Sequence, residues 1–191
     1  FALHPSSFVL HPLPMLHPTA VIHPDAQLGT NVTVGPYAVI EGAATIGDDC
    51  TIQAHAIVGA HVRMGRGNTI GYGAIVGGDP QDFAFRSETR SEVVIGEGNR
   101  IREYVTIHRG TAEGSATVVG DRCFLMAGAH LAHNVRLGNH VIIANNSLLG
   151  GHVQAIFGSP QQMLPHVPTG KAKILAIARG TRANVLPDVP T

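Results

Sequence analysis

From Ile22 to Val76 every sixth residue is a branched aliphatic or a methionine: Ile22, Leu28, Val34, Ile40, Ile46, Ile52, Val58, Met64, Ile70 and Val76. A second series runs Ile95, Ile101, Ile107, then Val119, Leu125, Leu131, Leu137, Ile143 and Leu149. A period of six fits neither a 3.6-residue helix nor an alternating strand. Four residues after each large residue comes a smaller one, as at Ala26, Val32, Ala38, Ala44, Cys50, Ala56, Asn68 and Ala74, and again at Asn99, Val105, Cys123, Ala129 and Ser147. One large and one small inward side chain per hexapeptide predict a narrow triangular prism, with coils stacked about 4.8 Å apart. A repeat of this kind decides the architecture before any local propensity does. The fold class it predicts is all-β: a left-handed parallel β-helix of hexapeptide repeats, followed by a non-repeat C-terminal tail. Glycine often follows the aliphatic (Gly29, Gly35, Gly47, Gly59, Gly65, Gly71, Gly77). The expectation is that these glycines supply the unusual backbone angles of the corners.

Departures from the period divide the chain. Residues 1–14 carry no repeat phase, which marks them as a non-native or disordered extension with Met15 as the natural start. The repeat domain spans 15–153, and 154–191 form a foreign or diverged tail. Two insertions interrupt the coils, one between Val76 and Ile95 and one from Arg109 to Thr117. In a solenoid such insertions map to one face, often the binding face, and loops of this length are often functional.

Composition narrows the function classes. The 191 residues balance 13 basic against 13 acidic side chains, which argues against a nucleic-acid binder held by phosphate contacts. No apolar run approaches a membrane span. No basic-then-apolar leader is present, so the expected location is cytoplasmic. Cys50 and Cys123 both fall in the small inward slot and read as core thiols.

Twelve histidines are many for this length. His23, His55 and His61 read as surface corner residues. His108, His130, His133 and His152 avoid the inward slots, and their spacing, close to whole coils, stacks them on adjacent rungs. A ladder of solvated corner histidines and a functional site explain that spacing equally well. Imidazole titrates near neutrality and suits general-base work. Acyl transfer to a sugar hydroxyl needs such a base, an oxyanion donor such as a backbone N–H at Gly151, and a group to orient the base, such as Asn134.

The motifs His17-Pro18-Thr19-Ala20, Pro80-Gln81-Asp82, Asn99-Arg100-Ile101-Arg102-Glu103, Thr106-Ile107-His108-Arg109-Gly110, Ala129-His130-Leu131-Ala132-His133 and Gly151-His152-Val153 resemble those of the UDP-N-acetylglucosamine O-acyltransferases of lipid A biosynthesis. The resemblance covers residues 15–153. It implies a cytoplasmic homotrimer that moves an (R)-3-hydroxyacyl group from acyl carrier protein to the 3-hydroxyl of UDP-N-acetylglucosamine. It makes His133 the general base and the Gly151 N–H the oxyanion donor, with Asn134 orienting the ring. It places Gln81, Asp82, His108, His130 and His152 in a substrate cleft between subunits. No metal or cofactor is implied. The family commonly has Asp where this chain has Asn134, and Lys where it has Ala84. It also continues through further coils and a helical domain, so this chain is expected to be impaired by truncation. Alternatives are an inactive chimeric fragment, the N-acyltransferase of the same pathway, or a β-helical zinc carbonic anhydrase.

Beyond the repeat, Gly170-Lys171, Ile174-Leu175-Ala176-Ile177-Ala178, Arg182 and Leu186-Pro187-Asp188-Val189-Pro190-Thr191 resemble solute-binding receptors of tripartite tricarboxylate transporters. A cytoplasmic enzyme joined to part of a periplasmic receptor implies a chimera, with its joint near Gln154 to Phe157.

Overall fold

A computed structural model describes residues 15–150. The expected extension at 1–14, the tail at 154–191 with its receptor-like motifs, and Gly151 and His152 all lie outside the described residues.

The described chain winds as a left-handed parallel β-helix with three sheets. The first face stacks Val21–Ile22, Val39–Ile40, Ile57–Val58, Ile75–Gly78, Thr106–His108, His130–Leu131 and Leu148–Leu149 in that order. The second stacks Gln27–Leu28, Thr45–Ile46, Val62–Met64, Glu92–Ile95, Ala116–Val119 and Arg136–Leu137. The third stacks Thr33–Val34, Thr51–Ile52, Thr69–Ile70, Arg100–Ile101, Phe124–Leu125 and Ile142–Ile143. All pairs are parallel, and like residues sit on like, as Ile22 on Ile40 and Ile52 on Ile70.

Burial explains the period. Ile40, Ile46, Ile52, Ile70, Ile101, Ile107, Leu125, Leu131 and Ile143 are fully buried, and Ala38, Ala44, Ala56, Ala74 and Ala129 fill the narrow slots beside them. Each fully buried aliphatic of this size stabilises the fold by about 1.5–3 kcal/mol. Where the small slot is polar, the interior satisfies it. Asn68 Oδ1 accepts from the Asn99 main-chain N–H at 2.8 Å and from Asn99 Nδ2 at 2.9 Å. Asn99 Oδ1 in turn accepts from Cys123 N at 2.7 Å. Cys50 and Cys123 are buried free thiols, and burial pushes both up from the ordinary thiol range.

The corner glycines do a different job from the expected one. Left-handed backbone falls two residues later in the repeat, at Asn31, Tyr37, Ala43, Asp49 and His55, with φ between 56° and 61°. The glycines after the aliphatics have ordinary φ, except Gly77 at 93°. They are small because the next coil passes over them. A Cβ on Gly71 would lie 2.5 Å from the Arg102 carbonyl carbon, and one on Gly47 would lie 2.6 Å from that of Gly65.

Both insertions leave the first face and return on the second, one coil apart. The first occupies 79–91 and the second 109–115. They shift the register, so that Val76 pairs with Ile107 and Val94 with Val118. One coil further on, the same corner is the short turn of His133 and Asn134, between His130–Leu131 and Arg136–Leu137. Among the described residues no helix is long and apolar enough to cross a membrane.

Candidate functional site

The corner that carries both loops also gathers the histidines. Thr106, Ile107 and His108 pair with the next coil, where Thr106 opposes His130 and Ile107 opposes Leu131. Ile107 and Leu131 point into the prism and are fully buried, so alternation puts Thr106, His108 and His130 outside it. A bulge between Val76 and Gly78 seats Gly78 opposite His108. A Cβ at Gly78 would approach His108 Cδ2 to 3.3 Å. Bulges of this kind re-aim side chains next to active sites.

His108 faces out of the prism, yet it is only 9% exposed. Its ring meets the His130 ring edge to face, with centroids 4.7 Å apart. Burial, then the neighbouring His130 and His133, hold its imidazole below the ordinary range, against an opposing pull from Asp79. Burial does the same to His130. His130 Nδ1 shares a hydrogen bond of 2.7 Å with Thr106 Oγ1. His108 Nδ1 is buried and makes no hydrogen bond. Such an atom costs about 1–3 kcal/mol, and a ligand group placed against it removes that cost. Of the histidines expected on adjacent rungs, His108 packs against His130 and lies within electrostatic reach of both His130 and His133.

Asn134 stands at φ 63° on the corner. Its Oδ1 lies 3.3 Å from His133 Nδ1, accepts from Thr111 N at 2.9 Å, and accepts from Thr111 Oγ1 at 3.2 Å. Its own N–H donates to Thr117 Oγ1 at 2.8 Å.

Gln81 and Asp82 stand exposed in the first loop, where Asp82 Oδ1 accepts from Ala84 N at 2.9 Å. What holds that loop is Arg109, which the motif contained but whose role the sequence did not disclose. Arg109 is 2% exposed. It donates to Asp79 Oδ1 at 2.8 Å, Thr89 O at 2.5 Å and Ser87 O at 2.7 Å, and its guanidinium lies 4.8 Å from the Phe85 ring centre. One cation therefore gathers four residues of the first loop. Thr106, Thr111 and Thr117 are further contributors that the hexapeptide period treats as filler.

A groove of about 300 Å³ lies at the same corner, lined in part by His61, Arg63, Arg90, Glu92 and Ser115, and among the described residues none of the expected site residues borders it. Arg63 and Glu92 neutralise each other there in a two-bonded ion pair at 2.6 and 2.7 Å. Among the described residues no group of three His, Cys, Asp or Glu side chains is arranged to hold a metal.

Comparison with known proteins gives this geometry a context. Residues 43–78 and 116–151 match the family described as bacterial transferase hexapeptide (six repeats). The chain is 40% identical over 119 residues to the acyl-(acyl-carrier-protein)–UDP-N-acetylglucosamine O-acyltransferase of Campylobacter concisus (strain 13826), covering 60% of this chain and 45% of that protein. It is 52% identical over 81 residues to the protein of the same name from Halorhodospira halophila (strain DSM 244 / SL1), covering 42% and 31%. In structure it is similar to a UDP-N-acetylglucosamine acyltransferase from Bacteroides fragilis 9343, with a TM-score of 0.68 at 44% identity over 71% of this chain and 52% of that one. The chain thus spans about half the length, or less, of these relatives. Over that span its repeat domain is similar, in sequence and in fold, to the UDP-N-acetylglucosamine acyltransferases.

Proposed function

We propose that residues 15–153 are the repeat domain of an acyltransferase that moves an (R)-3-hydroxyacyl group from acyl carrier protein to the 3-hydroxyl of UDP-N-acetylglucosamine, the first step of lipid A biosynthesis. The enzyme works in the cytoplasm as a homotrimer. The observation that carries this reading is the meeting of His108, His130 and His133 on the corner that bears both loops, in a β-helix similar to proteins of that name.

In this reading His133 takes the proton of the sugar hydroxyl. The oxygen attacks the thioester carbonyl, and the Gly151 N–H donates to the oxyanion that forms. Collapse of the tetrahedral intermediate breaks the C–S bond, and the imidazolium returns its proton to the departing thiolate. Gln81, Asp82, His108, His130 and His152 bind the substrates, and the partnerless Nδ1 of His108 is suited to a ligand contact. Asn134 orients His133 without offering a negative charge to the imidazolium, so turnover is expected to be slower than with Asp at that position.

The test is to incubate the purified chain with UDP-N-acetylglucosamine and (R)-3-hydroxyacyl carrier protein, and to follow O-acylated sugar nucleotide by mass spectrometry. Transfer that disappears in His133→Ala, with sedimentation unchanged, supports the reading. Transfer that survives in His133→Ala removes His133 as the base. Transfer to an amino acceptor alone points to the N-acyltransferase. Bound zinc with carbon dioxide hydration points to a carbonic anhydrase, and no turnover with any acceptor to an inactive chimera.

A further inference from the structure

We propose that Thr111, in the second loop, is a positioning residue that locks the tautomer of His133. A main-chain N–H can only donate. The Thr111 N–H reaches the Asn134 side chain at 2.9 Å, so the end of the amide that faces it is the oxygen and not the nitrogen. Thr111 Oγ1 donates to the same oxygen at 3.2 Å. His133 Nδ1 lies 3.3 Å from it. An amide oxygen has no proton to give, so this contact is a hydrogen bond only when Nδ1 carries the hydrogen. A neutral imidazole has one ring proton, and the lone pair therefore falls on Nε2.

The lock works because every part of it is held. Asn134 is tied at its main chain to Thr117 Oγ1 at 2.8 Å. The loop around Thr111 is pinned on both sides. Arg109 N donates to Gly78 O at 2.9 Å, and Gly114 N donates to Arg90 O at 2.8 Å. The buried Ser91 hydroxyl donates to Gly110 O at 2.6 Å, and Ala112 N donates to Ser115 Oγ at 3.0 Å. The insertion is thus more than a spacer between coils. It carries a fixed N–H to one oxygen, and that oxygen selects which nitrogen of His133 accepts a proton. The consequence for catalysis rests on the reading of His133 as the base, whereas the tautomer itself does not.

The test is a long-range proton–nitrogen correlation spectrum of the ¹⁵N-histidine-labelled chain at a pH where the rings are neutral, with His133 assigned by its loss in His133→Gln. The expected result is a His133 protonated at Nδ1, against the Nε2–H form that free histidine prefers. Thr111→Val removes the hydroxyl and keeps the N–H. It should raise the Nε2–H fraction about fivefold, the equivalent of one ordinary hydrogen bond of about 1 kcal/mol. Asn134→Ala removes the acceptor at Nδ1 and should raise the Nε2–H fraction, with the circular dichroism of the β-helix unchanged. A wild-type His133 protonated at Nε2 overturns the lock outright. A Thr111→Val spectrum identical to wild type removes the Thr111 hydroxyl from it and leaves the main-chain N–H, which valine keeps, as the Thr111 contact in the lock. Because the readout is spectroscopic, a chain without acyltransferase activity leaves the lock open to test. Where transfer is measurable, Thr111→Val should lower kcat and leave KM unchanged, and should add nothing to Asn134→Ala. Additive losses would overturn the coupling.

Discussion

Arg109 Nε donates to Asp79 Oδ1 at 2.8 Å, which joins the coil that bears His108 to the loop that leaves the preceding coil. The two partners are unequal, with the Arg109 side chain 3% exposed and that of Asp79 48%. That asymmetry decides what each substitution costs. Arg109→Ala withdraws three hydrogen bonds from the first loop and takes the Arg109 donor from two carbonyls and from Asp79 Oδ1, while Asp79 Oδ2 keeps the Ser87 hydroxyl at 2.9 Å. Hydrogen bonds to a charged group contribute about 1.5–3 kcal/mol each, so this should be the costliest of the three changes. Arg109→Lys keeps the charge but not the planar fork, and should recover only part of the loss. Asp79→Asn keeps an acceptor but withdraws the counter-charge of a buried guanidinium, so it should cost more than the roughly 0–1 kcal/mol of an exposed pair and less than Arg109→Ala. Urea unfolding of the three variants checks the order, and an Asp79→Asn loss as large as that of Arg109→Ala would show that the ion pair, rather than the carbonyl contacts, holds the loop.

A second expectation concerns pH. The fold holds His108 and His130 below the ordinary imidazole range, chiefly by burial. The unfolded chain takes up those protons near the reference value of about 6.5, while the folded chain resists. Below that pH the unfolded state binds more protons, so stability falls. The stabilisation is present in full above about 6.5 and is lost as the pH falls through the lowered folded values. The melting temperature should therefore hold between neutral and mildly alkaline pH and drop on the acid side. His108→Gln removes the more heavily buried ring and should flatten the drop. An equally steep profile in that variant would place the acid sensitivity elsewhere.

The glycines give a sharper contrast. Gly71 has ordinary φ but no room, since a Cβ would lie 2.5 Å from the Arg102 carbonyl carbon. Ala43 is the reverse case, with φ 61°. Gly71→Ala forces two coils apart and should destabilise by about 1–3 kcal/mol, the usual penalty for overpacking. Ala43→Gly relieves a left-handed residue worth about 1–2 kcal/mol and gives back part of that in chain entropy, for a net gain of roughly 0.5–1 kcal/mol. Thermal melts should move in opposite directions. A loss of stability in Ala43→Gly would show that the corner conformation carries little strain.

Those two residues also show what a single sequence discloses about this fold. The period of six is legible because every coil repeats one demand: a large inward residue such as Ile52 and a small one such as Ala56. The reason for the glycines was not legible, because close approach by the next coil and a left-handed φ leave the same residue in the sequence. At the site, the gathering of His108, His130 and His133 followed from counting residues per coil. The burial of His108 did not, because an outward position in the repeat says nothing of what lies against it. Arg109, Thr106 and Thr111 escaped for a related reason. Their partners, Asp79, His130 and Asn134, lie 23 to 30 residues away, and a period places residues on rungs without saying which side chains bond there.

Thr106 supplies the last test, because its hydroxyl bonds His130 Nδ1 at 2.7 Å while the same ring lies against His108. Valine has nearly the shape of threonine and suits a strand equally well. Thr106→Val thus removes one hydrogen bond and leaves the packing in place. His130 is then free to turn about its ring bond, and the half-buried Nδ1 loses its partner. The stability change should stay within about 1 kcal/mol, since one neutral hydrogen bond is at stake. The effect on acyl transfer should be larger in proportion: about tenfold in kcat/KM, which corresponds to about 1.4 kcal/mol at the transition state. Thr106→Ser restores the hydroxyl without the methyl and should return most of that activity while losing slightly more stability than valine does. This crossing of the two series separates a positioning role from a structural one. A merely structural threonine would make valine the better replacement in both measurements, and serine the worse.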